Sequence, residues 1–360
     1  NKNIKNKVDM ITGAGGSIGS EISRQVAKNN PKKIILLDTN EFSLYAIKQE
    51  LDLKFKEVDI YPILANVTNK KRMGDICFSF NINTIYHAAA YKHVSLVEEN
   101  PFEAVFNNII GTQACVEAAL ENKVETFVLI STDKAVRPTN IMGATKRFAE
   151  LILQSCSADK ESNSETNMIM VRFGNVIGSS GSAIPLFQQQ IKNGGPITVT
   201  HPEVIRYFMS IPEAAELVIQ AGAMGTGGDV FVLDMGEPVK VLELAKRLIS
   251  LSGMELKDQD NPNGEIEITF TGLRPGEKLY EELLIGDNVS TTQHKKILRA
   301  EEDFLIKQDL EHFLHNIKDA ELTNDVVLLK EILKEAIPGF VPDQRNVDVI
   351  YLQKNKLSSK

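Results

Sequence analysis

Residues 131–146 read STDKAVRPTNIMGATK, a stretch dense in groups that can hold or pass a proton. Ser131 and Thr132 offer hydroxyls, Asp133 a carboxylate, and Lys134 and Lys146 amines whose charge depends on their surroundings. The spelling Ser-x-x-Lys is shared with penicillin-recognising hydrolases, but the Ser-Asp-Asn and Lys-Thr-Gly motifs those enzymes need are absent. Taken alone, Ser131 to Lys134 is a polar exit from a strand. Its chemical meaning comes from what lies upstream.

Gly13, Gly16 and Gly19 form G-x-x-G-x-x-G at a strand-to-helix junction, with Ser17 and Ile18 opening the helix. Glycine there permits the tight turn and lets backbone approach a pyrophosphate at the helix N-terminus. Asp38 closes the second strand about 20 residues downstream, where a carboxylate accepts hydrogen bonds from adenosine ribose hydroxyls. Its charge repels a 2′-phosphate, and Thr39, Asn40 and Glu41 bring no arginine to offset that, so NAD is expected rather than NADP. Asn66 and Val67 after the third strand are placed to meet adenine, and Ala88, Ala89 and Ala90 after the fourth leave room for a cofactor.

Short apolar runs alternating with helical spacing must position these groups. VDMIT, KKIILLD, VDIYPILANV, INTIYHAAA, ETFVLIST and NMIMVRFGNV read as strands, separated by amphipathic helices, one opened by Thr68 as N-cap and one by Pro101. The alternation predicts an α/β fold, a doubly wound parallel sheet of Rossmann type with a smaller α/β substrate domain. Residues 1–175 are expected to form the dinucleotide-binding domain, joined by about 207–235, where VFVLDM returns to the main sheet. Residues 176–206 and 236–322 form the second unit, and 323–360 a helical tail that is charged at KNKLSSK. SADKESNSET, at 157–166, reads as a surface loop.

The chain has 360 residues, 24% charged and 42% hydrophobic, with a formal net charge of -8. That balance argues against nucleic acid as a partner, and any bound phosphate must meet local cations and backbone N–H groups. Cys77, Cys115 and Cys156 are odd in number and far apart, which speaks against a disulfide framework and against a zinc or other metal site. No apolar run reaches the roughly 18 residues of a membrane span, and no signal peptide precedes the first strand. A cytoplasmic module without membrane contact of its own is expected. Because it begins at Asn1, it is expected to be a piece of something longer, with membrane segments upstream.

TGAGGSIG, HAAAYKHV, NNIIGT, STDKAVRPTN, GATK, RFGNVIGSSGS and LRPGEKLYEEL together resemble the extended short-chain dehydrogenase/reductases, and among them the UDP-N-acetylglucosamine-type nucleotide-sugar 4,6-dehydratases. The resemblance runs over residues 8–284 and extends to bacterial polysaccharide and glycan biosynthesis enzymes that carry a membrane-spanning N-terminal region. It implies an NAD enzyme, and a homo-oligomer paired through helices of the main domain. The family's Tyr-x-x-x-Lys pair is Met142 and Lys146 here. A thioether has no proton to exchange, so Met142 cannot be acid or base, whereas Lys146 can still bind the nicotinamide ribose.

In the reaction the resemblance implies, hydride leaves carbon 4 of the sugar, water is lost across carbons 5 and 6, and hydride returns at carbon 6. Asp133 is implied as acid toward the carbon 6 hydroxyl, Lys134 as base at carbon 5, and Thr132 as partner of the carbon 4 oxygen. Without tyrosine, Asp133 is the favoured group to take the carbon 4 proton and later deliver it. For the nucleotide sugar the expected residues are Lys92, with His93 beside it, Asn175 and Ser182 near the sugar or diphosphate, Arg206 and Arg274 as diphosphate clamps, and Thr200 and Glu277 at uridine and its ribose. A carbon 4 epimerase and a catalytically inactive NAD or nucleotide-sugar sensor are the competing readings.

Overall fold

A computed structural model of the chain describes residues 3–159, 165–282 and 289–358. Part of the expected surface loop (160–164), Leu283 and Leu284, and the last two residues of the tail lie outside the described residues. Strands β1 (Val8–Thr12), β2 (Lys33–Asp38), β3 (Asp59–Leu64), β4 (Thr84–His87), β5 (Thr126–Ile130) and β6 (Asn167–Arg172) pair in parallel in the order β3-β2-β1-β4-β5-β6. Between them run α1 (Ser17–Ala27), α2 (Glu41–Lys54), α3 (Lys70–Phe80), α4 (Val94–Glu99), α5 (Pro101–Ala104), α6 (Gly111–Glu121) and α7 (Ile141–Ala158). Successive strand residues face opposite sides, so Met10, Ile35 and Leu37 join one apolar cluster while Ile11, Ile34 and Leu36 join the other.

The chain then passes through β7 (Asn175–Ile177), α8 (Ala183–Lys192), β8 (Ile197–Val199), β9 (Ile205–Arg206), β10 (Phe208–Ser210), α9 (Ile211–Met224) and β11 (Asp229–Leu233), which pairs in parallel with β6. Next come β12 (Val239–Lys240), α10 (Val241–Leu251), β13 (Leu256–Lys257) and β14 (Ile266–Phe270). Phe187, Ile197, Val199, Val241, Ile249 and Ile266 give the smaller unit its own apolar cluster, on a β13-β14-β8 sheet.

The expected boundary at 322 does not follow the packing. β15 (Val289–Thr291) and β16 (Ile297–Ala300) extend the main sheet antiparallel beyond β11, making nine strands. α11 (Lys307–Thr323) and α12 (Val326–Ala336) bury Leu310, Phe313, Ile317, Leu329 and Leu333 in the cluster that holds α7, leaving α13 (Val349–Ser358) to end the described chain. From Ile141 to Ser155 every residue of α7 is buried, with α11 and α12 among the elements packed on it. The N-cap of α3 is Asn69, which accepts from Arg72 N at 3.0 Å, because the Thr68 hydroxyl is spent on Asn66 Oδ1 at 2.8 Å. The rod beginning at Pro101 is interrupted by a π-helical turn at Val105–Ile110. Among the described residues, no helix is long and apolar enough to cross a membrane.

Charge is buried at the sheet centre. Arg172, at the end of β6 and 1% exposed, donates to both oxygens of Glu150 at 2.8 and 2.6 Å and to Glu302 at 2.5 Å. Glu150 also accepts from Ser131 Oγ at 2.6 Å and Arg147 at 3.0 Å. Burial alone raises a carboxyl pKa, but the arginines and the Ser131 hydroxyl outweigh it and hold Glu150 down at about 2, against an ordinary 4.5. A depressed folded-state pKa contributes stability above the unfolded value, lost as pH falls from 4.5 toward about 2. Glu150→Gln is therefore expected to cost about 3–5 kcal/mol in urea denaturation at neutral pH and to flatten the loss of stability across that acid window.

Candidate active site

The sheet ends in a bent groove whose two arms share Gly13, Gly16, Ala88 and Ala90. One arm, about 310 Å³, is lined by Asp38, Asn40, Ser43, Val67, Ala89, Tyr91 and Asn107 among others. The other, about 260 Å³, is lined by Ser17, Ile18, Gly19, Lys92, Ser131, Thr132, Lys134, Met142, Lys146 and Asn175. The glycines are required where they stand. Gly13 has φ +65°, and a Cβ on Gly19 would lie 2.0 Å from Gly13 O. No side chain caps the first turn of α1, which leaves its N–H groups for an anion. Asp38 is tied to the turn, accepting from Gly15 N at 2.8 Å and Asn40 N at 2.9 Å, and still borders the groove. These residues fit a dinucleotide laid across the helix N-terminus. Asn66, exposed and holding Thr68, does not line the groove.

β5 delivers Ser131 to the Glu150 network and Thr132 to the groove wall, and a single 3₁₀ turn, Asp133–Ala135, follows. Asp133 lies behind the wall, 1% exposed. Its Oδ1 accepts from Thr132 Oγ1 at 2.8 Å and Lys134 Nζ at 3.0 Å, and its Oδ2 is buried without a partner. Burial pulls the Lys134 pKa down, but Asp133 and Glu281, the latter 3.7 Å away, outweigh it, and the net shift is upward. Lys134 thus rests as an ammonium. The part as base at carbon 5 that the resemblance implies therefore requires Lys134 to lose a proton first, because the two carboxylates outweigh burial and the charge of Arg206.

Lys146 is one helical turn beyond Met142 on α7 and 6% exposed, and burial brings its pKa to about 8, with Glu150 opposing. Met142 is itself buried in the groove wall. Sequence reasoning passed over His87, which accepts from or donates to Thr12 Oγ1 at 2.8 Å and Thr112 Oγ1 at 3.1 Å. Thr112 donates to Asn108 O at 2.6 Å, so His87 Nε2–H donates to Thr112 and Nδ1 accepts from Thr12. Burial first, then Lys146, pushes His87 down to about 3, which keeps it neutral. Asn108, in the π-helical turn, clamps both backbone groups of Tyr91 and donates to Thr145 at 3.0 Å. The HAAAYKHV and NNIIGT motifs carried both residues.

Thr200, Arg206 and Glu277 lie together but outside the groove. Thr200 donates to Glu277 Oε1 at 3.0 Å, and Arg206 donates to Glu277 at 3.2 Å and to the carbonyls of Lys278 and Leu279 at 2.8 and 3.3 Å. The expected diphosphate clamp does not fit this placement, since Arg206 is 8% exposed and its terminal N–H groups are engaged by three carbonyls and Glu277. It fastens a strap, residues 274–282, to β9, and the strap in turn bonds the segment after the 3₁₀ turn. Gly276 O accepts from Thr139 and Asn140, each at 3.0 Å, and Lys278 Nζ reaches Val136 O at 3.1 Å. Arg274 is exposed, with no ion pair among the described residues. Ser182 stands at the N-cap of α8 with a buried, unpartnered hydroxyl and does not line the groove. His93 packs against Gly181, whose added Cβ would meet its ring at 2.2 Å.

Sheet order and groove define a Rossmann-type fold of the extended short-chain dehydrogenase/reductase kind. The chain belongs to the polysaccharide biosynthesis protein family, whose model matches residues 9–302. It is 52% identical over 318 residues to capsular polysaccharide biosynthesis protein CapD of Staphylococcus aureus, covering 88% of this chain and 51% of that one. The chain thus spans about half the length of that relative. A UDP-glucose 4-epimerase of Rickettsia rickettsii (strain Sheila Smith) is 36% identical over 292 residues, 79% of each chain. The X-ray structure of Pen from Bacillus thuringiensis is similar at TM-score 0.74 and 34% identity, covering 87% of this chain and 99% of that one. DesIV, a dTDP-glucose 4,6-dehydratase from Streptomyces venezuelae crystallised with NAD and DAU, shares the fold at TM-score 0.65 and 18% identity, over 76% and 87% of the two chains.

If Arg206 fastens the strap, Arg206→Ala removes its bonds to Glu277 and to the carbonyls of Ile205, Lys278 and Leu279, at an expected cost of about 2–3 kcal/mol. Hydrogen exchange should then accelerate at 276–281 while the amides of β1 and β4 keep their protection.

Proposed function

We propose that the chain is an NAD-dependent 4,6-dehydratase of UDP-N-acetylglucosamine, forming the UDP-4-keto-6-deoxy sugar. The reading is carried by the joined hydroxyl, carboxylate and ammonium of Thr132, Asp133 and Lys134 beside the groove. Loss of water across carbons 5 and 6 needs an acid and a base beyond those of carbon 4 oxidation, which simple re-reduction at carbon 4 does not.

Gly13, Gly16, Ser17, Ile18 and Gly19 would hold the diphosphate of NAD, Asp38 the adenosine ribose, Val67 and the Ala88–Ala90 wall the adenine and its approach, and Lys146 the nicotinamide ribose. Bound there, NAD supplies a hydride acceptor at carbon 4 and a hydride donor at carbon 6. The protein's own residues move the protons. Thr132 takes the carbon 4 hydroxyl proton as its own passes to Asp133 Oδ1, along the 2.8 Å hydrogen bond between them. Asp133 then no longer holds Lys134 as an ammonium. Once Lys134 has passed its own proton to a neighbouring base it can take the one at carbon 5, while Asp133 returns its proton, through Thr132, to the departing carbon 6 hydroxyl, and Lys134 later reprotonates carbon 5. Met142 contributes an apolar wall and no proton. Arg274 is the guanidinium left for the substrate diphosphate, with Lys92 and Asn175 toward the sugar.

A UDP-sugar 4-epimerase is the second reading, favoured by the name of the Rickettsia relative. An inactive sensor is suggested by Met142 alone. Mass spectrometry together with proton NMR, which tells the carbon 4 epimers apart and locates the label, separates the three after incubating the chain with NAD and UDP-N-acetylglucosamine in heavy water. A product lighter by one water with deuterium at carbon 5 supports dehydration; an isomer without that label means epimerisation, and unchanged substrate means a sensor. Under the dehydratase reading Asp133→Asn lowers kcat about 10²–10⁴-fold and forms no NADH. Gly19→Ala, with its Cβ 2.0 Å from Gly13 O, should weaken NAD binding by more than about tenfold in a fluorescence titration.

A further inference from the structure

Lys134 sits between two carboxylates, and the reaction proposed above uses only Asp133. The second is Glu281, near the end of the strap. It is 7% exposed, its Oε1 lies 3.7 Å from Lys134 Nζ, and its Oε2 is buried without a hydrogen-bond partner. Among the described residues Lys134 is its sole ion-pair partner. A buried carboxylate with so little compensation is expensive for the fold, and two buried carboxylates with one orphaned oxygen each, Asp133 Oδ2 and Glu281 Oε2, flank the same amine.

The strap's other contacts explain how Glu281 is held there. Arg206 grips the carbonyls of Lys278 and Leu279, Ile205 bridges to Tyr280, and Arg137 on the catalytic turn pairs with Glu282. The charged groups around Lys134 are then Asp133 on its own turn, Glu281 on the strap, and Arg206 on β9, whose charge is offset by Glu277. Lys146 on α7 and Lys92 after β4 line the same groove arm. Lys278 is occupied by Val136 O and Glu282.

We propose that Glu281 is a positioning residue that acts through Lys134, fixing its ammonium in the resting site and receiving its proton when Asp133 becomes neutral. In that step an N–H bond of the Lys134 ammonium breaks and an O–H bond forms on the Glu281 carboxylate, leaving a neutral amine and a neutral acid with no change in total charge. The free amine is the base needed at carbon 5. The inference rests on the dehydratase reading for that last role, but the coupling of Glu281 to Lys134 can be measured without turnover.

Competitive acetylation of the full chain with acetic anhydride across a pH series, read by peptide mass spectrometry, gives the titration midpoint of Lys134. Glu281→Gln should lower that midpoint by about one pH unit or more, since an opposite charge is removed. Glu281→Asp, which keeps the charge and withdraws it by one methylene, should lower it by less and recover part of the kcat lost in Glu281→Gln, with KM little changed. A midpoint equal to wild type in Glu281→Gln, or in Glu281→Asp should the first variant not fold, overturns the inference. Wild-type chain that leaves UDP-N-acetylglucosamine unchanged, yet shows the shifted midpoint in the variant, overturns the dehydratase reading and keeps the coupling. Normal turnover with an unmoved midpoint overturns the inference alone.

Discussion

A carboxylate with no solvent around it must be answered by positive charge and hydrogen bonds, and Glu150 is the place where this fold meets that demand. Arg172, Arg147 and Ser131 converge on it, which fixes the ends of β5 and β6 against α7. The groove depends on that junction at two points. Ser131 is the residue before Thr132, so the catalytic turn leaves the sheet from an anchored position. Lys146 lies one turn before Glu150 on the same helix and feels its charge, which limits how far burial lowers the Lys146 pKa. Replacing such a cluster as a whole with apolar side chains can be tolerated, whereas removing one member leaves the others uncompensated.

Methionine in place of the tyrosine of the Tyr-x-x-x-Lys pair leaves the groove without a titratable group at that position. Met142 is buried in the wall where a polar group is expected by resemblance, and Lys146 then faces a thioether that neither donates nor accepts a proton. Thr132, Asp133 and Lys134 form a hydrogen-bonded line, of which Thr132 and Lys134 border the groove while Asp133 lies one bond behind them.

The central sheet was legible because its signals are local: buried strands in short apolar runs, a glycine turn whose positions exclude side chains, and an acidic residue closing β2. Asn140, which caps α7 by accepting from Gly143 N at 2.7 Å, lies inside the stretch singled out from sequence. What escaped is nonlocal. Nothing near Glu281 in sequence says that it meets Lys134, nothing near Arg206 says that its donors are used by Lys278 and Leu279, and the antiparallel β15 and β16 follow a polar segment that gives no strand period. α11 and α12 carry visible apolar spacing, yet only the packing shows that α7 is their target. His87 was hidden for the opposite reason: its two threonine partners are ordinary residues until three elements bring them together.

The strap has a bearing on the order in which the groove is completed. Chains are made from the N-terminus, and units fold as they emerge. All the parallel strands from β1 to β11, the glycine turn and the Thr132–Lys134 segment precede residue 274 in synthesis, so a nascent chain can own a sheet and a dinucleotide groove while Lys134 still lacks one of its two carboxylates. The later arrival of Gly276 and Lys278 sets the strap against Thr139, Asn140 and Val136. A chain ended before residue 274 would hold a cofactor-shaped groove without the carboxylate of Glu281 beside Lys134.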